Sequence, residues 1–408
     1  MTELKIDFVG HKGDGVAHLN SNAVYVPFAL EGEVVSVEGS GPRRDITTIK
    51  TTSPDRIDPI CKYFGTCGGC QLQHMNESTY LKWKMTLVTE PLSKVGVTIE
   101  PDAIKSFEDE SRRKCVFNAQ RTSEGLQLGF NEKASTEIVA IDACPVLVPE
   151  INAQLDAIRD LVNSVPMTKH PLRVSVLVTK NGLDISIEDA KPLSEAERQV
   201  LIKKAIAHKF SRITVNIETL IKITEPHIEI ANTIVSPPPG AFVQALKQAE
   251  NQMSTIVADF LKGCKQVADL YCGIGTFALK LAEHSAVYAV EESGDALNSL
   301  DQAWRETGGK LKQVKTEKRN LERRPVTFGE LKKMDGLVFD PPRAGAELQC
   351  KQIAKSRVKK VAAVSCNPNT LATDLEILVA GGFKVKQIIP IDQFKYTPHV
   401  EVVVLLER

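Results

Sequence analysis

Three stretches of this chain carry residue types at spacings that could do chemistry. In "VSCNPNT", Val361, Ala362, Ala363 and Val364 read as a buried strand, and Cys366 follows at its end, just before an Asn-Pro turn. A cysteine at the mouth of a strand can be reached, and its thiolate is a nucleophile. "LVFDPPRAG" sets Asp340 at another strand end and stiffens the exit with Pro341 and Pro342. "CKYFGTCGGCQLQH" brings Cys61, Cys67 and Cys70 close in sequence, with Gly68 and Gly69 allowing a tight wrap so that sulfurs converge.

The chain has nine cysteines, an odd number, which disfavours a disulfide framework and favours metal binding or catalysis. A fourth ligand is wanted, and Cys144 of "DACPVL" is the candidate, since a proline follows the cysteine as at some iron–sulfur sites. His74 is the local alternative and would favour zinc. Spacing leaves zinc and iron–sulfur both open.

"ADLYCGIGTFALKLA" is a strand, then Gly273 and Gly275, then a helix, a turn where backbone can approach a ligand closely. Position 278 is alanine, so the third glycine of a dinucleotide fingerprint is missing. "VYAVEES" ends the next strand on Glu291, placed to accept hydrogen bonds from ribose hydroxyls. Loop, strand and acid suit either a nicotinamide or S-adenosylmethionine. Asp-Pro-Pro at the fourth strand is similar to the motif with which many methyltransferases hold a target base, and favours S-adenosylmethionine.

A thiol beside a methyl donor has a specific use. C5 of uracil is a poor nucleophile, but thiolate addition at C6 makes the ring an enolate whose C5 can attack a methyl group. A base must then remove the C5 proton so that the sulfur can leave. Glu401, at the start of the apolar run "VVVLLE", is the candidate.

These side chains need a frame. The chain has 408 residues, enough for two or three domains, with 42% hydrophobic and 25% charged residues, as in a soluble globular protein. No apolar run approaches a membrane span, and "MTELKIDFVG" has no signal-peptide pattern, so no membrane association and a cytoplasmic location are expected. The 51 basic and 51 acidic residues balance, unlike the basic excess usual in nucleic-acid binders, although Arg43–Arg44, Arg112–Arg113–Lys114 and Lys359–Lys360 form local clusters.

Residues 1–53 alternate short Val/Ile/Thr-rich runs with glycine turns, which predicts four or five strands in a small OB-like barrel, a module that often carries nucleic acid. Residues 54–235 begin with the cysteine-rich stretch and continue as an α+β block. "SPPPG" at 236–240 marks a boundary, and residues 236–408 alternate strand and helix, which predicts an open, mostly parallel α/β sheet of Rossmann-like type.

Taken together, "CKYFGTCGGCQLQH", "GAFVQ", "DLYCGIGTF", "DPPRAG", "SCNPNT" and the "ID-x-F-x-x-T-x-H-V-E" run resemble the RNA uracil-C5 methyltransferases, and within them the iron–sulfur-containing members that act on 23S ribosomal RNA. The resemblance covers nearly the whole chain. It implies a class I S-adenosylmethionine methyltransferase domain and a [4Fe–4S] cluster on Cys61, Cys67, Cys70 and Cys144. It implies cofactor contacts from Gln244, Tyr271, Thr276, Glu291, Asn320 and Asp340, with Thr276 where relatives often have asparagine. Cys366 would be the nucleophile and Glu401 the base. The implied partner is RNA, 23S ribosomal RNA first, transfer RNA at its T-loop uridine second, and not DNA. An inactive iron–sulfur RNA-binding protein is a third reading, and a monomer is expected. Tyr63, Phe64, Phe117 and Phe130 are the aromatic candidates for base stacking. Lys395 stands where the family commonly has proline, and Ala363 where it usually has tyrosine.

Overall fold

The structure, a computed structural model, describes residues 2–408. Six short strands come first: β1 (Thr2–Lys5), β2 (Phe8–Val9), β3 (Asp14–Leu19), β4 (Asn22–Pro27), β5 (Val34–Glu38) and β6 (Asp45–Thr51). They form two three-stranded antiparallel sheets, β1-β5-β6 and β2-β3-β4, around a core that includes Leu4, Ile6, Val24, Val26, Val35 and Val37. Backbone hydrogen bonds from the Tyr25 amide to the Pro42 carbonyl (2.7 Å) and from the Arg44 amide to the Tyr25 carbonyl (3.0 Å) join β4 to the segment that leads into β6, so the two sheets form one small all-β module. Gly15 permits the close approach between them: a Cβ there would lie 2.8 Å from Ala29 Cβ and 3.0 Å from Ile6 Cγ2.

Helix α1 (Glu77–Lys94) is capped by Asn76, whose side chain accepts from the Thr79 amide at 2.9 Å. Although it lies within the stretch read as the central block, α1 buries Val88 and Leu92 with Leu371, Leu375 and Leu378 of the C-terminal layer. Apolar complementarity across the fold, invisible in local sequence, draws it there.

The central block is a seven-stranded sheet backed by helices. Its elements are β7 (Lys114–Thr122), β8 (Gly125–Asn131), β9 (Ile138–Ala140), α2 (Pro149–Asn152), α3 (Leu155–Val162), β10 (Leu172–Thr179), β11 (Gly182–Glu188), α4 (Glu195–Ala207), β12 (Arg212–Val215) and β13 (Glu218–Lys222). Strand order is β13-β12-β11-β10-β7-β8-β9, antiparallel except between β11 and β12. The apolar side of α3 (Leu155, Ile158, Leu161, Val162) packs on it, and α4 starts on a capping box made by Ser194 and Glu197. The hairpin of β14 (Ile228–Ile230) and β15 (Thr233–Val235) buries Ile228, Ile230 and Val235 in the C-terminal core rather than in this block.

The C-terminal part runs α5 (Lys247–Phe260), β16 (Gln266–Leu270), α6 (Ala278–Leu281), β17 (Ala286–Glu291), α7 (Gly294–Glu306), β18 (Val314–Lys318), β19 (Gly336–Phe339), α8 (Glu347–Lys355), β20 (Lys360–Ser365), α9 (Pro368–Ala380), β21 (Lys384–Ile391) and β22 (Glu401–Glu407). The seven strands order as β18-β17-β16-β19-β20-β22-β21, parallel from β16 to β20, with β22 inserted antiparallel between β20 and β21. Both faces are covered, which is why these strands read as continuous apolar runs. In β22, Val403 and Leu405 enter one layer while Val402, Val404 and Leu406 enter the other. Among the described residues no helix is long and apolar enough to cross a membrane.

Candidate active site

Cys366 follows the last residue of β20 and is half-buried; Asn367 caps α9 and Pro368 occupies its first turn. The β20–β22 ladder ends at the Ser365–Val402 pair; Cys366 and Glu401 are the next residues along the two strands, and the thiol feels the Glu401 charge. Asp340 follows β19 on the other side of β20, where Phe339 pairs with Ala363. The segment after Asp340 is pinned to the start of α9: the Asn367 amide and the Thr370 hydroxyl donate to the Arg343 carbonyl at 3.0 and 3.2 Å.

Two glutamines join the carboxylates. Gln393 Nε2 donates to Glu401 Oε2 at 2.7 Å and to Gln244 Oε1 at 2.9 Å, and Gln244 Nε2 donates to Asp340 Oδ2 at 3.3 Å. Glu401 is 2% exposed, Gln393 2% and Gln244 3%, so this chain runs through dry interior. Burial pushes Glu401 up to about 8, helped by the Asp340 charge and opposed by the Gln393 hydrogen bond. Burial pushes Asp340 up to about 7. The Cys366 thiol rises to about 11 through burial and the nearby Glu401 and Asp340 charges, with Arg343 pulling the other way. The Cys366 thiol feels both carboxylates and Glu401 feels Asp340, so the three groups are electrostatically linked.

The glycine turn lies at the end of β16 on the same edge. Tyr271, Gly273 and Gly275 have φ of 64°, 53° and 101°, and left-handed backbone at a tyrosine is uncommon and strained. Nothing lies within 4 Å of the point where a Gly273 Cβ would stand, so the backbone there faces open space; at Gly275 a Cβ would strike Leu300 Cδ1 at 2.5 Å. Glu291 braces the turn by accepting from the Gly273 amide at 3.1 Å and from the Glu292 and Ser293 amides at 2.8 and 2.9 Å. Thr276 Oγ1 lies 3.5 Å from Glu250 Oε1, whose partner oxygen binds Arg113 at 2.9 Å in a buried ion pair. Asn320, at the exit of β18, donates to Glu292 Oε1 at 2.7 Å.

Cys61, Cys67, Cys70 and Cys144 line one cavity of about 460 Å³, together with Cys115, Phe242 and Phe394. Its walls contain no Asp, Glu or His, while Arg112 and Lys114 supply positive charge. Burial and neighbouring sulfurs push Cys70 up to about 12 and Cys144 up to about 11. Among the described residues no three Cys, His, Asp or Glu side chains stand together as ligands of a single ion. His74, the alternative ligand, is not on this cavity. It is fully buried at 5.3 Å from the Phe64 ring and 6.2 Å from the Phe28 ring, and burial pushes it down to about 3. The cysteine loop needs Gly68, since a Cβ there would lie 2.8 Å from the Asn131 carbonyl oxygen and 2.9 Å from the Lys133 nitrogen.

Of the aromatic candidates, Phe117 is fully buried against Phe130, with ring centroids 5.1 Å apart, and cannot stack on a base. Tyr63, Phe64 and Phe130 do line the cavity. Phe242, 74% exposed and two residues before Gln244, escaped notice although it sits within "GAFVQ".

Helix α1 reaches this edge too. Lys84, 0% exposed, forms an ion pair with Asp392 and donates to the Phe394 carbonyl at 3.2 Å and to the His399 carbonyl. Tyr80 donates to Asp392 Oδ2 at 2.7 Å and accepts from the Tyr396 amide at 2.8 Å. The Gln71 amide donates to the Tyr396 carbonyl at 2.8 Å. The segment carrying Gln393 into Glu401 is therefore held by α1 and by the cysteine loop at once. Lys84 and Gln393 were missed in the sequence because nothing local distinguishes a buried lysine or glutamine from a solvated one.

A parallel sheet whose carboxyl edge gathers a glycine turn, an acid on the second strand and Asp-Pro-Pro on the fourth defines a class I α/β methyltransferase. The family model described as tRNA (Uracil-5-)-methyltransferase matches residues 78–408. The chain is 46% identical, over 410 aligned positions, to an uncharacterized RNA methyltransferase of Agrobacterium fabrum, covering 99% of this chain and 98% of that one. It is 30% identical over 423 positions to the 23S rRNA (uracil(1939)-C(5))-methyltransferase RlmD of Erwinia tasmaniensis, with coverage of 99% and 96%. Its fold is that of the Pyrococcus abyssi tRNA (uracil-54, C5)-methyltransferase solved with S-adenosyl-L-homocysteine, at a TM-score of 0.78, 22% identity and 99% coverage of both chains. The chain belongs to the tRNA (uracil-5-)-methyltransferase family and is an RNA (uracil-5-)-methyltransferase.

Proposed function

We propose that this enzyme makes 5-methyluridine at a uridine of 23S ribosomal RNA through a transient bond between Cys366 and C6 of the target base. The observation that carries the reading is half-buried Cys366 and buried Glu401 next to the last pair of the β20–β22 ladder, with Asp340 on the adjoining strand end. The target uracil must leave its stack to reach this edge.

S-adenosylmethionine, when bound, supplies an electrophilic methyl group. Gln244, Tyr271, Thr276, Glu291, Asn320 and Asp340 are the residues assigned to hold it, and the open backbone at Gly273 beside Glu291 supports that assignment. Cys366 reacts as its thiolate; burial and the Glu401 and Asp340 charges oppose its ionisation, and Arg343 partly offsets them. Its sulfur adds to C6, and the ring electrons move to the enolate. C5 then bonds the methyl carbon as the sulfonium–methyl bond breaks. Glu401 takes the proton from C5, the C5–H pair becomes the C5=C6 double bond, and the C6–Sγ pair returns to the sulfur. A carboxyl group raised by burial is a stronger base for that proton than a solvated one.

Cys61, Cys67, Cys70 and Cys144 are assigned to a [4Fe–4S] cluster. An all-sulfur donor set on one cavity with two cationic residues in its wall suits a thiolate-bound iron cluster. Tyr63, Phe64, Phe130 and Phe242 around the same cavity offer stacking surfaces for unpaired bases.

Whole-length identity to a 23S rRNA enzyme favours ribosomal RNA; the T-loop uridine of transfer RNA is the second reading, in keeping with the shared fold. Nucleoside mapping of both RNAs, with and without the gene, decides. Loss of 5-methyluridine from 23S ribosomal RNA alone is expected, and loss from transfer RNA alone would replace the first reading with the second.

A further inference from the structure

We propose that Gln393 is a positioning residue for the proton-abstraction step: its amide holds the Glu401 carboxylate in place and ties it through Gln244 to Asp340. This rests on the assignment of Glu401 as the base.

The hydrogen-bond chain runs without conflict from one acid to the other when both are ionised. Both hydrogens on Gln393 Nε2 are used, one on Glu401 Oε2 at 2.7 Å and one on Gln244 Oε1 at 2.9 Å. Gln244 is oriented in turn, because its own Nε2 faces Asp340 Oδ2 at 3.3 Å. Flipping either amide would set a carbonyl oxygen against a buried carboxylate. Both acids therefore receive N–H donors, the arrangement that suits their ionised forms. Gln393 Oε1 is left buried without a hydrogen-bond partner.

The residue is rigidly presented. Gln393 follows Asp392, which Lys84 and Tyr80 clamp, and precedes Phe394, whose carbonyl Lys84 also binds. The groups facing Glu401 are few. Asp340 and Cys366 come from the neighbouring strand ends, Arg343 sits beyond Cys366, and His399 contacts Arg343 at 3.0 Å. Gln393 is the only hydrogen-bond donor recorded on the Glu401 side chain among the described residues.

Loss of that donor leaves Glu401 with burial and the Asp340 charge, both of which favour the protonated acid. The base then ionises at higher pH and samples more orientations. Sulfur addition and methyl transfer precede its action and do not use it.

The test compares Gln393→Leu and Gln393→Glu with the unmodified enzyme on two RNAs. With 5-fluorouridine RNA the reaction stops after methyl transfer, because C5 carries no proton to remove, so the covalent adduct reports the early steps alone. With uridine RNA, turnover includes proton removal. For Gln393→Leu at saturating S-adenosylmethionine, which offsets the partner that Gln244 loses, adduct formation within about twofold of the unmodified enzyme is expected. Turnover is expected to fall by roughly tenfold to a hundredfold, the rising limb of the rate–pH profile to move up, and methylated covalent complex to accumulate on uridine RNA. Gln393→Glu, whose carboxylate cannot donate when ionised, should behave alike at high pH and recover partly as pH falls. Unchanged turnover and pH profile, or adduct formation falling in parallel with turnover, would overturn the proposal. If the unmodified enzyme forms no adduct, the covalent mechanism itself fails, an outcome distinct from a failure at Gln393.

Discussion

Cys366 and Glu401 come together because β20 and β22 stop in register. Ser365 pairs with Val402 at the end of the ladder, Cys366 and Glu401 are the next residues along the two strands, and the thiol feels the Glu401 charge. The two residues are separated by 35 positions of chain (401 − 366), and the intervening segment forms helix α9 and strand β21 before returning antiparallel. An antiparallel last strand is what lets the beginning of β22 meet the end of β20. A parallel strand would have placed Glu401 at the opposite edge of the sheet.

Replacing Cys366 by alanine is expected to remove the covalent adduct with 5-fluorouridine RNA and to lower turnover by roughly three orders of magnitude or more. The thiol is half-exposed at a helix start, so thermal stability should change little. Gel shift under denaturing conditions and circular dichroism check the two halves of this expectation.

Glu401→Gln separates chemistry from stability. Turnover should fall by roughly 10²- to 10⁴-fold, while trapping on 5-fluorouridine RNA persists. The native carboxyl is held up at about 8 against an ordinary value of 4.5, so the folded state binds more protons than the unfolded state across that interval. Stability that is present below about pH 4.5 is therefore lost as pH rises towards about 8. The variant, which has no charge to bury, should show a higher melting temperature than the unmodified enzyme at pH 9 and a smaller difference at pH 5.

Turnover of the unmodified enzyme should increase with pH. Both Cys366, at about 11, and Glu401, at about 8, act in their deprotonated forms, so each contributes a rising limb. A rate that declines between pH 6 and 8.5, measured at saturating S-adenosylmethionine, would contradict these assignments.

Lys84→Met leaves Asp392 buried without its cation. Both side chains are 0% exposed, and breaking such a pair from one side costs about 3–5 kcal/mol. Urea unfolding should show this loss, and Lys84→Met combined with Asp392→Asn should recover part of it. Because the same lysine binds the Phe394 and His399 carbonyls, the double variant should still turn over more slowly than the unmodified enzyme.

Anaerobic purification should yield a brown protein with about four irons per chain. Cys144→Ser should lose colour and iron together. A colourless, zinc-loaded protein would contradict the cluster. Binding must displace the protons that burial keeps on Cys70 and Cys144, so iron retention should weaken as pH falls.

The placement of the candidate residues at strand ends could be read from the chain because it depends on the local backbone. Cys366 before Asn-Pro, Asp340 before Pro-Pro and the Gly273–Gly275 turn all announce strand ends, and strand ends of a parallel sheet share one edge. The alternation of apolar runs with helical stretches in residues 236–408 likewise indicated the layer architecture that the structure has. In the N-terminal module the Val, Ile and Gly pattern indicated short strands and turns, while the pairing of those strands into β1-β5-β6 and β2-β3-β4 is set by contacts distant in sequence.

By itself, then, the amino-acid order determined which atoms are available for reaction and which edge of which sheet they occupy, because propensity, turn chemistry and apolar periodicity act over a few residues. Only the tertiary structure decided that Gln393 links two acids, that Lys84 of α1 clamps the segment before Glu401, that His74 is sealed away from the cysteines, and that Phe242 rather than Phe117 is open to solvent. Those outcomes depend on contacts between segments up to 315 positions apart, where burial and hydrogen-bond satisfaction are set by packing and leave no trace in neighbouring residues.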